Sequence, residues 1–413
     1  MTSVCILLQN HYEIDIRVRR KAEALVAAGY VVDVLALHSS YSKGKSYDVC
    51  GVTVHTFSLG KKRGSRIRYL FEYVAFLIWA CFKLGRLMGR RRYALIDVNT
   101  LPDFLIFAAC FARWRGAKLL LDMHEITPEF LMSKYGFGPK HLQVRLAAWI
   151  EKLSVRYADH VITINDPIQR LLEGRCLAPA KSTIIMNAAD EALFASAAND
   201  PLAPDPADAR PKFLMMYHGT LTRIYGLDLA LEAFGMAQAE MPGAQLWILG
   251  NGPEKSSLEG LARKLGLESR VRFVGSVLPQ EIPQWLRQCD VGVLATRRDV
   301  FLEFSFSNKL SEYIIMGKAV ISSRLRTIRH YFGEDALAFF EPNAPSDLAK
   351  QMVRLYQDTA LRDRLAKRAM VEFQPIRWEV MKERYLHLIQ ALTGAPAAAA
   401  ARPQAPERIV VSP

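Results

Sequence analysis

The stretch FSFSNKLSEYIIMGKAV, residues 304–320, sets Ser305, Ser307, Asn308 and Lys309 at the mouth of what reads as a helix. Glu312 follows on its first turns, and the helix stops at Gly317 before a buried strand, AVISS. Hydroxyl and amide side chains at a helix N-terminus can cap it, and first-turn N–H groups left over point at whatever lies in front. A lysine there adds a full positive charge, so such a mouth suits a phosphate. The plainer reading is a helix cap beside a solvated lysine. Gly219, in YHGTLTRIYG, and Gly252, in WILGNG, are expected to let the backbone approach a ligand closely. The first of these loops also carries Thr220 and Arg223. No acidic metal-binding pair is evident, and HEITPE lacks the second histidine of a zinc HExxH, so no metal and no cofactor are expected.

These residues need elements to position them. The first half alternates short apolar runs with helical patterns: SVCILLQN, IRVRRKAEALVAAGY, VVDVLALH, then ALIDVNT, AKLLLDMHE and HVITIND. Near-continuous apolar strands separated by helices indicate a parallel sheet covered on both faces. NDPLAPDPADARP, residues 199–211, holds four prolines and reads as a linker. The same grammar restarts with KFLMMYHGT, AQLWILGNG, VRFVGSV, DVGVLAT and AVISS. The expected architecture is α/β: two doubly wound, Rossmann-like domains facing a cleft at the C-terminal edges of their sheets. The boundaries read as 1–198 for the first domain, 199–211 for the linker and 212–374 for the second domain. A C-terminal helix at 375–393 returns to the first domain, and 394–413 is a tail.

With 413 residues, 51% of them hydrophobic, the chain can build two cores. Its six cysteines (Cys5, Cys50, Cys81, Cys110, Cys176 and Cys289) form no CxxC pair, which suits a reducing compartment. The N-terminal MTSVCILLQNH has no basic leader and reads at once as a strand, so a secretory signal is not expected. The net charge of +13 is uneven: residues 61–92 hold ten basic residues against one acid, Glu72. Between Arg68 and Lys83 lies YLFEYVAFLIWACF, 14 residues. As a helix it spans about 21 Å, short of the roughly 30 Å of a bilayer core. Two readings stay open for it: a core helix of an α/β domain, or a helix lying on an anionic leaflet with its basic flanks on head groups. No nucleic-acid motif accompanies the charge, so nucleic acid is not an expected partner.

In order and at ordinary spacing, YHGTLTRIYGLDLALEAF, LWILGNGPEKSSLEGLARKLGLESRVRFVGSV, EIPQWLRQCDVGVLAT and NKLSEYIIMGKAVI closely resemble one family. It is the retaining glycosyltransferases of family four, in their donor-binding half, which have the GT-B fold. DIRVRRKAEALVAAGYVVDVLAL, LDMHEITPEF, VITIND and IIMNAADEALF are similar to its acceptor half, so the resemblance covers roughly residues 4–390. It implies transfer of a hexose-type sugar from a nucleotide-sugar donor to an acceptor hydroxyl with retained configuration. The implied acceptor is a lipid-linked saccharide in bacterial surface-polysaccharide synthesis. The implied location is cytoplasmic, peripheral on the inner face of the plasma membrane.

By the same resemblance, Ser307, Asn308, Lys309, Gly219, Thr220, Arg223 and Gly252 are donor-binding positions. The departing diphosphate carries charge that helix N-termini and cations must meet. Many members have an arginine just after the first glycine and a lysine just before the second; here Thr220 and Tyr225 stand there. Arg223 either replaces those cations or lies on the surface. Most members also carry two glutamates seven residues apart, the second holding the ribose hydroxyls. Glu312 matches the second, but counting back lands on Phe304, with Glu303 one place away. His124, after the strand AKLLLD, matches a histidine beside the transferred sugar and is the candidate catalytic residue. Glu125 and Glu129 are candidate acceptor contacts, and Asp15 is either an acceptor contact or a helix cap. Two rivals are a sugar-nucleotide epimerase of the same fold and a non-catalytic glycan- or lipid-binding relative.

Overall fold

The computed structural model describes residues 1–59, 66–192, 194 and 211–395. The expected linker, apart from Pro211, and the tail beyond Ala395 fall outside them, as do Lys61, Lys62 and Arg63 of the basic stretch.

The chain's described residues divide into two compact units: Met1–Met186 with Met381–Ala395, and those of Asn187–Val380. The first break therefore falls at Met186, not at 198. The reason is local: the Ala189 amide donates to Ser311 Oγ at 3.0 Å, which ties residues just after the break into the second unit.

The first unit is an eight-stranded sheet in the order β3-β4-β2-β1-β5-β6-β7-β8. Its strands are β1 (Ser3–His11), β2 (Val31–Leu37), β3 (Ser46–Val49), β4 (Val52–Phe57), β5 (Leu95–Asn99), β6 (Lys118–Met123), β7 (His160–Thr163) and β8 (Ser182–Ile184). All neighbours pair parallel except β3 with β4. The helices are α1 (Ile16–Ala27), α2 (Arg66–Met88), α3 (Cys110–Trp114), α4 (Thr127–Tyr135), α5 (Leu142–Tyr157) and α6 (Asp166–Glu173). The apolar strands are buried on both faces, as a helix-covered parallel sheet requires.

Helix α2 is longer than its apolar segment, because the basic residues at its C-terminal end continue it to Met88. One side of it is core and the other is not. Glu72, Phe76, Ala80, Leu84 and Met88, one i,i+4 row, are buried, while Phe71, Val74, Ile78 and Phe82 stand exposed.

The second unit has a six-stranded sheet in the order β11-β10-β9-β12-β13-β14. Its strands are β9 (Phe213–His218), β10 (Ala244–Leu249), β11 (Val271–Gly275), β12 (Val291–Leu294), β13 (Ala319–Ser323) and β14 (Ala338–Phe340), all parallel. Its helices are α7 (Leu227–Ala237), α8 (Lys255–Lys264), α9 (Ile282–Gln288), α10 (Asn308–Ile315), α11 (Arg326–Tyr331), α12 (Pro345–Gln357) and α13 (Thr359–Phe373). The last helix, α14 (Trp378–Thr393), carries the chain back to the first unit, where Tyr385 OH donates to Asp97 Oδ2 at 2.9 Å.

Candidate active site

In the second unit, β9 ends at His218 and the chain turns at Gly219, whose φ is 126°. A Cβ there would lie 2.2 Å from Lys309 Cε, so the glycine makes room for the lysine at the mouth of α10. Lys309 Nζ lies 4.0 Å from the centre of the Tyr225 ring and 5.6 Å from that of Tyr217. Aromatic faces attract an ammonium but replace little of its hydration. Burial accordingly pulls the Lys309 pKa down to about 8, with Glu312 opposing the shift.

Ser307 is the N-cap residue of α10, yet its side chain makes no capping hydrogen bond. Asn308 Oδ1 is buried without a partner. The mouth of the helix thus keeps polar capacity that the fold itself does not use. Glu312, one turn further, pairs its Oε2 with His218 Nε2, and His218 Nδ1 lies 3.1 Å from Tyr313 OH. Tyr313 OH donates in turn to the Met216 carbonyl at 2.7 Å. His218 was not among the candidates, although its place between a strand end and Gly219 was visible in YHGT.

The remaining donor-side candidates are placed as follows. Gly252 does not open space for a ligand: a Cβ there would meet the Leu221 carbonyl oxygen at 2.2 Å, so it lets two loops of the protein close on each other. Arg223 is exposed, in the 3-10 turn Arg223–Tyr225. Thr220 is exposed too, and only its carbonyl is engaged, accepting from Tyr217 OH at 2.9 Å. Glu303, the alternative acid, turns the other way. Its Oε2 accepts from the Arg326 amide at 2.6 Å and its Oε1 lies 2.7 Å from Arg298 Nε, at the start of α11.

In the first unit, His124 follows β6, and its amide donates to Thr100 Oγ1 at 3.1 Å. It is 8% exposed, and its Nε2 lies 3.2 Å from Asp122 Oδ2. Desolvation, helped by the charge of Arg17, lowers its pKa and favours the neutral imidazole. Behind it sits a buried cluster. Lys21 Nζ donates to Asp122 Oδ2, to Asn99 Oδ1 at 2.8 Å and to Asp97 Oδ2 at 3.3 Å. Desolvation opposes the lysine's charge, but the two aspartates outweigh it and raise its pKa.

Asp15 is the N-cap of α1: its Oδ1 accepts from the Val18 amide at 3.2 Å, and its Oδ2 from Asn10 at 3.1 Å. Glu125 is partly buried, and desolvation raises its pKa. Glu129 is buried and held by Arg175, whose Nη1 lies 3.1 Å from its Oε2, so it serves the core and not an acceptor. Among the described residues no group of three or more His, Cys, Asp or Glu side chains is placed to hold a metal ion.

Residues 14–188 match the glycosyl transferase 4-like domain, and residues 212–358 match the glycosyl transferases group 1 domain. The two matches fall within one unit each, give or take two residues, and the chain belongs to the GT-B glycosyltransferases that pair these domains. It is 30% identical over 165 residues to the lipopolysaccharide core biosynthesis glycosyltransferase LpsE of Rhizobium meliloti (strain 1021). That match covers 40% of this chain and 44% of LpsE, less than half of the relative's length. Its fold is that of sucrose-phosphate synthase from Thermosynechococcus elongatus, with a TM-score of 0.73 at 20% identity over 96% of this chain and 100% of the other. HepE of Anabaena, solved with UDP, gives a TM-score of 0.68 at 16% identity over 95% and 100%.

Proposed function

We propose that the protein is a retaining family-four glycosyltransferase that moves a hexose-type sugar from a nucleotide-sugar donor to an acceptor hydroxyl. The acceptor is a lipid-linked saccharide of bacterial surface-polysaccharide synthesis, and the protein works in the cytoplasm, peripherally on the inner face of the plasma membrane. The observation that carries this reading is the unspent polar capacity at the mouth of α10. Ser307 and Asn308 leave the helix start open, Lys309 adds a cation, and Glu312 stands one turn away on His218. This arrangement suits a diphosphate at the helix mouth, with the ribose hydroxyls on Glu312. As the donor bond breaks, charge grows on the departing phosphate, where the α10 dipole and Lys309 stabilise it without a metal. HepE has been solved with UDP and with UDP-glucose, which favours a nucleotide-sugar donor here as well. LpsE's role in lipopolysaccharide core biosynthesis supports a surface-polysaccharide pathway.

The test is to incubate the protein with candidate sugar nucleotides, with and without saccharide acceptors, and to follow nucleotide release. Release that depends on acceptor, and that survives EDTA, is the expected result. Isomerised sugar without acceptor would mean an epimerase, and binding without turnover a non-catalytic relative.

A further inference from the structure

The connections from β4 through α2 to β5, from β5 through α3 to β6, and from β6 through α5 to β7 all step the same way across the first sheet. Right-handed crossovers put all three helices on one face. There α2 packs on α3, and Arg113 of α3 stacks 4.7 Å from the centre of the Tyr157 ring at the end of α5. The outward side of this layer is apolar to an unusual degree. It presents Phe71, Ile78 and Phe82 from α2, Trp114 from α3, and Leu146 and Trp149 from α5, with Trp114 87% and Phe82 77% exposed. A soluble monomer rarely leaves so many large apolar side chains uncovered on one layer.

The charges say what covers it. The only acids on these three helices are Glu72 and Glu151, and both are buried, beside Arg68 and Arg175. Every exposed charge on the layer is therefore basic, Arg86, Arg145, Lys152 and Arg156 among them. A second copy docked through the same face would set these cations against themselves, since a two-fold interface pairs a patch with its own image. An anionic bilayer instead offers an apolar interior and negative head groups at once.

We propose that the α2–α3–α5 face is the membrane-docking surface, with Phe82, Trp114 and Trp149 dipping into the acyl boundary and the basic rim on anionic head groups. This rests on the peripheral-membrane reading above and extends it from one basic helix to a three-helix face.

The experiment is flotation of the full chain with vesicles of phosphatidylcholine alone or with 30 mol% phosphatidylglycerol, the composition being about that of a moderately anionic leaflet. Wild type is expected to float with the anionic vesicles and to be released by high salt. The exposed triple variant Phe82→Ser, Trp114→Ser, Trp149→Ser is expected to keep its melting temperature and nucleotide-sugar binding, while its partition drops on the order of a hundredfold. Equal flotation of wild type and variant, or equal binding to neutral and anionic vesicles, would overturn the proposal. So would a dimer in sizing chromatography that the triple variant abolishes, because the face would then be covered by protein. Loss of donor binding in wild type would count against the transfer reading alone, since flotation is read without turnover.

Discussion

Lys309 and Tyr225 form a cation–aromatic pair, 4.0 Å from ammonium nitrogen to ring centre, at the mouth of α10. Tyr225 stands where the resemblance leads one to expect a second cation. The site therefore relies on a single lysine whose charge the ring attracts while its own burial disfavours it.

The pH dependence of donor binding follows. With its pKa pulled down to about 8 by burial, Lys309 is mostly protonated at pH 7 and mostly neutral at pH 9. A diphosphate prefers the protonated form, so binding should take up a proton above pH 8. Donor affinity should fall there by about tenfold per pH unit, the slope for one linked proton. Calorimetric titrations between pH 7 and 9.5 would show it. Lys309→Met should weaken binding at pH 7 and flatten the profile. A wild-type affinity that stays level to pH 9.5 would remove Lys309 from the diphosphate site.

Glu312 and Glu303 are separable by their partners. Glu312 faces His218 at the end of β9, whereas Glu303 serves the start of α11. Losing a charged hydrogen bond costs about 1.5–3 kcal/mol, so Glu312→Ala should weaken donor binding on the order of ten- to a hundredfold. The loss should shrink for a donor lacking the ribose 2′-hydroxyl. Glu303→Ala should leave the donor constant nearly unchanged and cost about 0.5–2 kcal/mol of stability, as the loss of a cap does. If Glu303→Ala cripples binding while Glu312→Ala binds normally, the two roles must be exchanged.

Much of this fold could be read from pattern alone, because most strands are local apolar runs and helices such as α1 local periodicities; β3, the mostly exposed SYDV, is neither. The mouth of α10 was legible for the same reason: Ser307 to Glu312 lie within six residues. What pattern could not show is pairing across the chain. Arg175 holds Glu129 from 46 residues away, and His218 meets Glu312 from 94. The Ala189–Ser311 bond, which moves the first domain's end to Met186, spans 122. Gly252 was misread because Leu221, the backbone it accommodates, belongs to another loop.

In the first unit the position of His124 sets a test of role against packing. Lys21 reaches the same Asp122 oxygen, Oδ2, as the imidazole does, so removing the imidazole should not strand that carboxylate. His124→Ala is expected to lower kcat while the melting temperature changes little. Lys21→Met, by contrast, leaves two buried aspartates uncompensated and should cost about 3–5 kcal/mol. Measuring kcat and thermal unfolding on both variants separates them. A His124→Ala protein that unfolds early but keeps its specific activity would make this histidine a core residue.

The first unit should also lose stability as pH rises, through Asp103. Its carboxyl is buried, accepts from Thr127 Oγ1 at 2.9 Å, and leaves Oδ1 without a partner. Desolvation raises its pKa to about 7, and burial raises that of nearby Glu151 to about 8. Unfolded, the Asp103 group titrates near 3.9. The folded state thus binds a proton that the unfolded state has released, and this favours folding only at low pH. The contribution is complete below about pH 4 and is lost as pH climbs to about 7, where the carboxylate must ionise in the core. Asp103→Asn keeps an oxygen for Thr127 and cannot ionise. Its melting temperature, relative to wild type, should therefore be higher at pH 8 than at pH 5. For a unit of this size each kcal/mol recovered should show as about 2–4 °C. Calorimetric scans at the two pH values decide it: an offset that is the same at both would mean that Asp103 carries no linked proton.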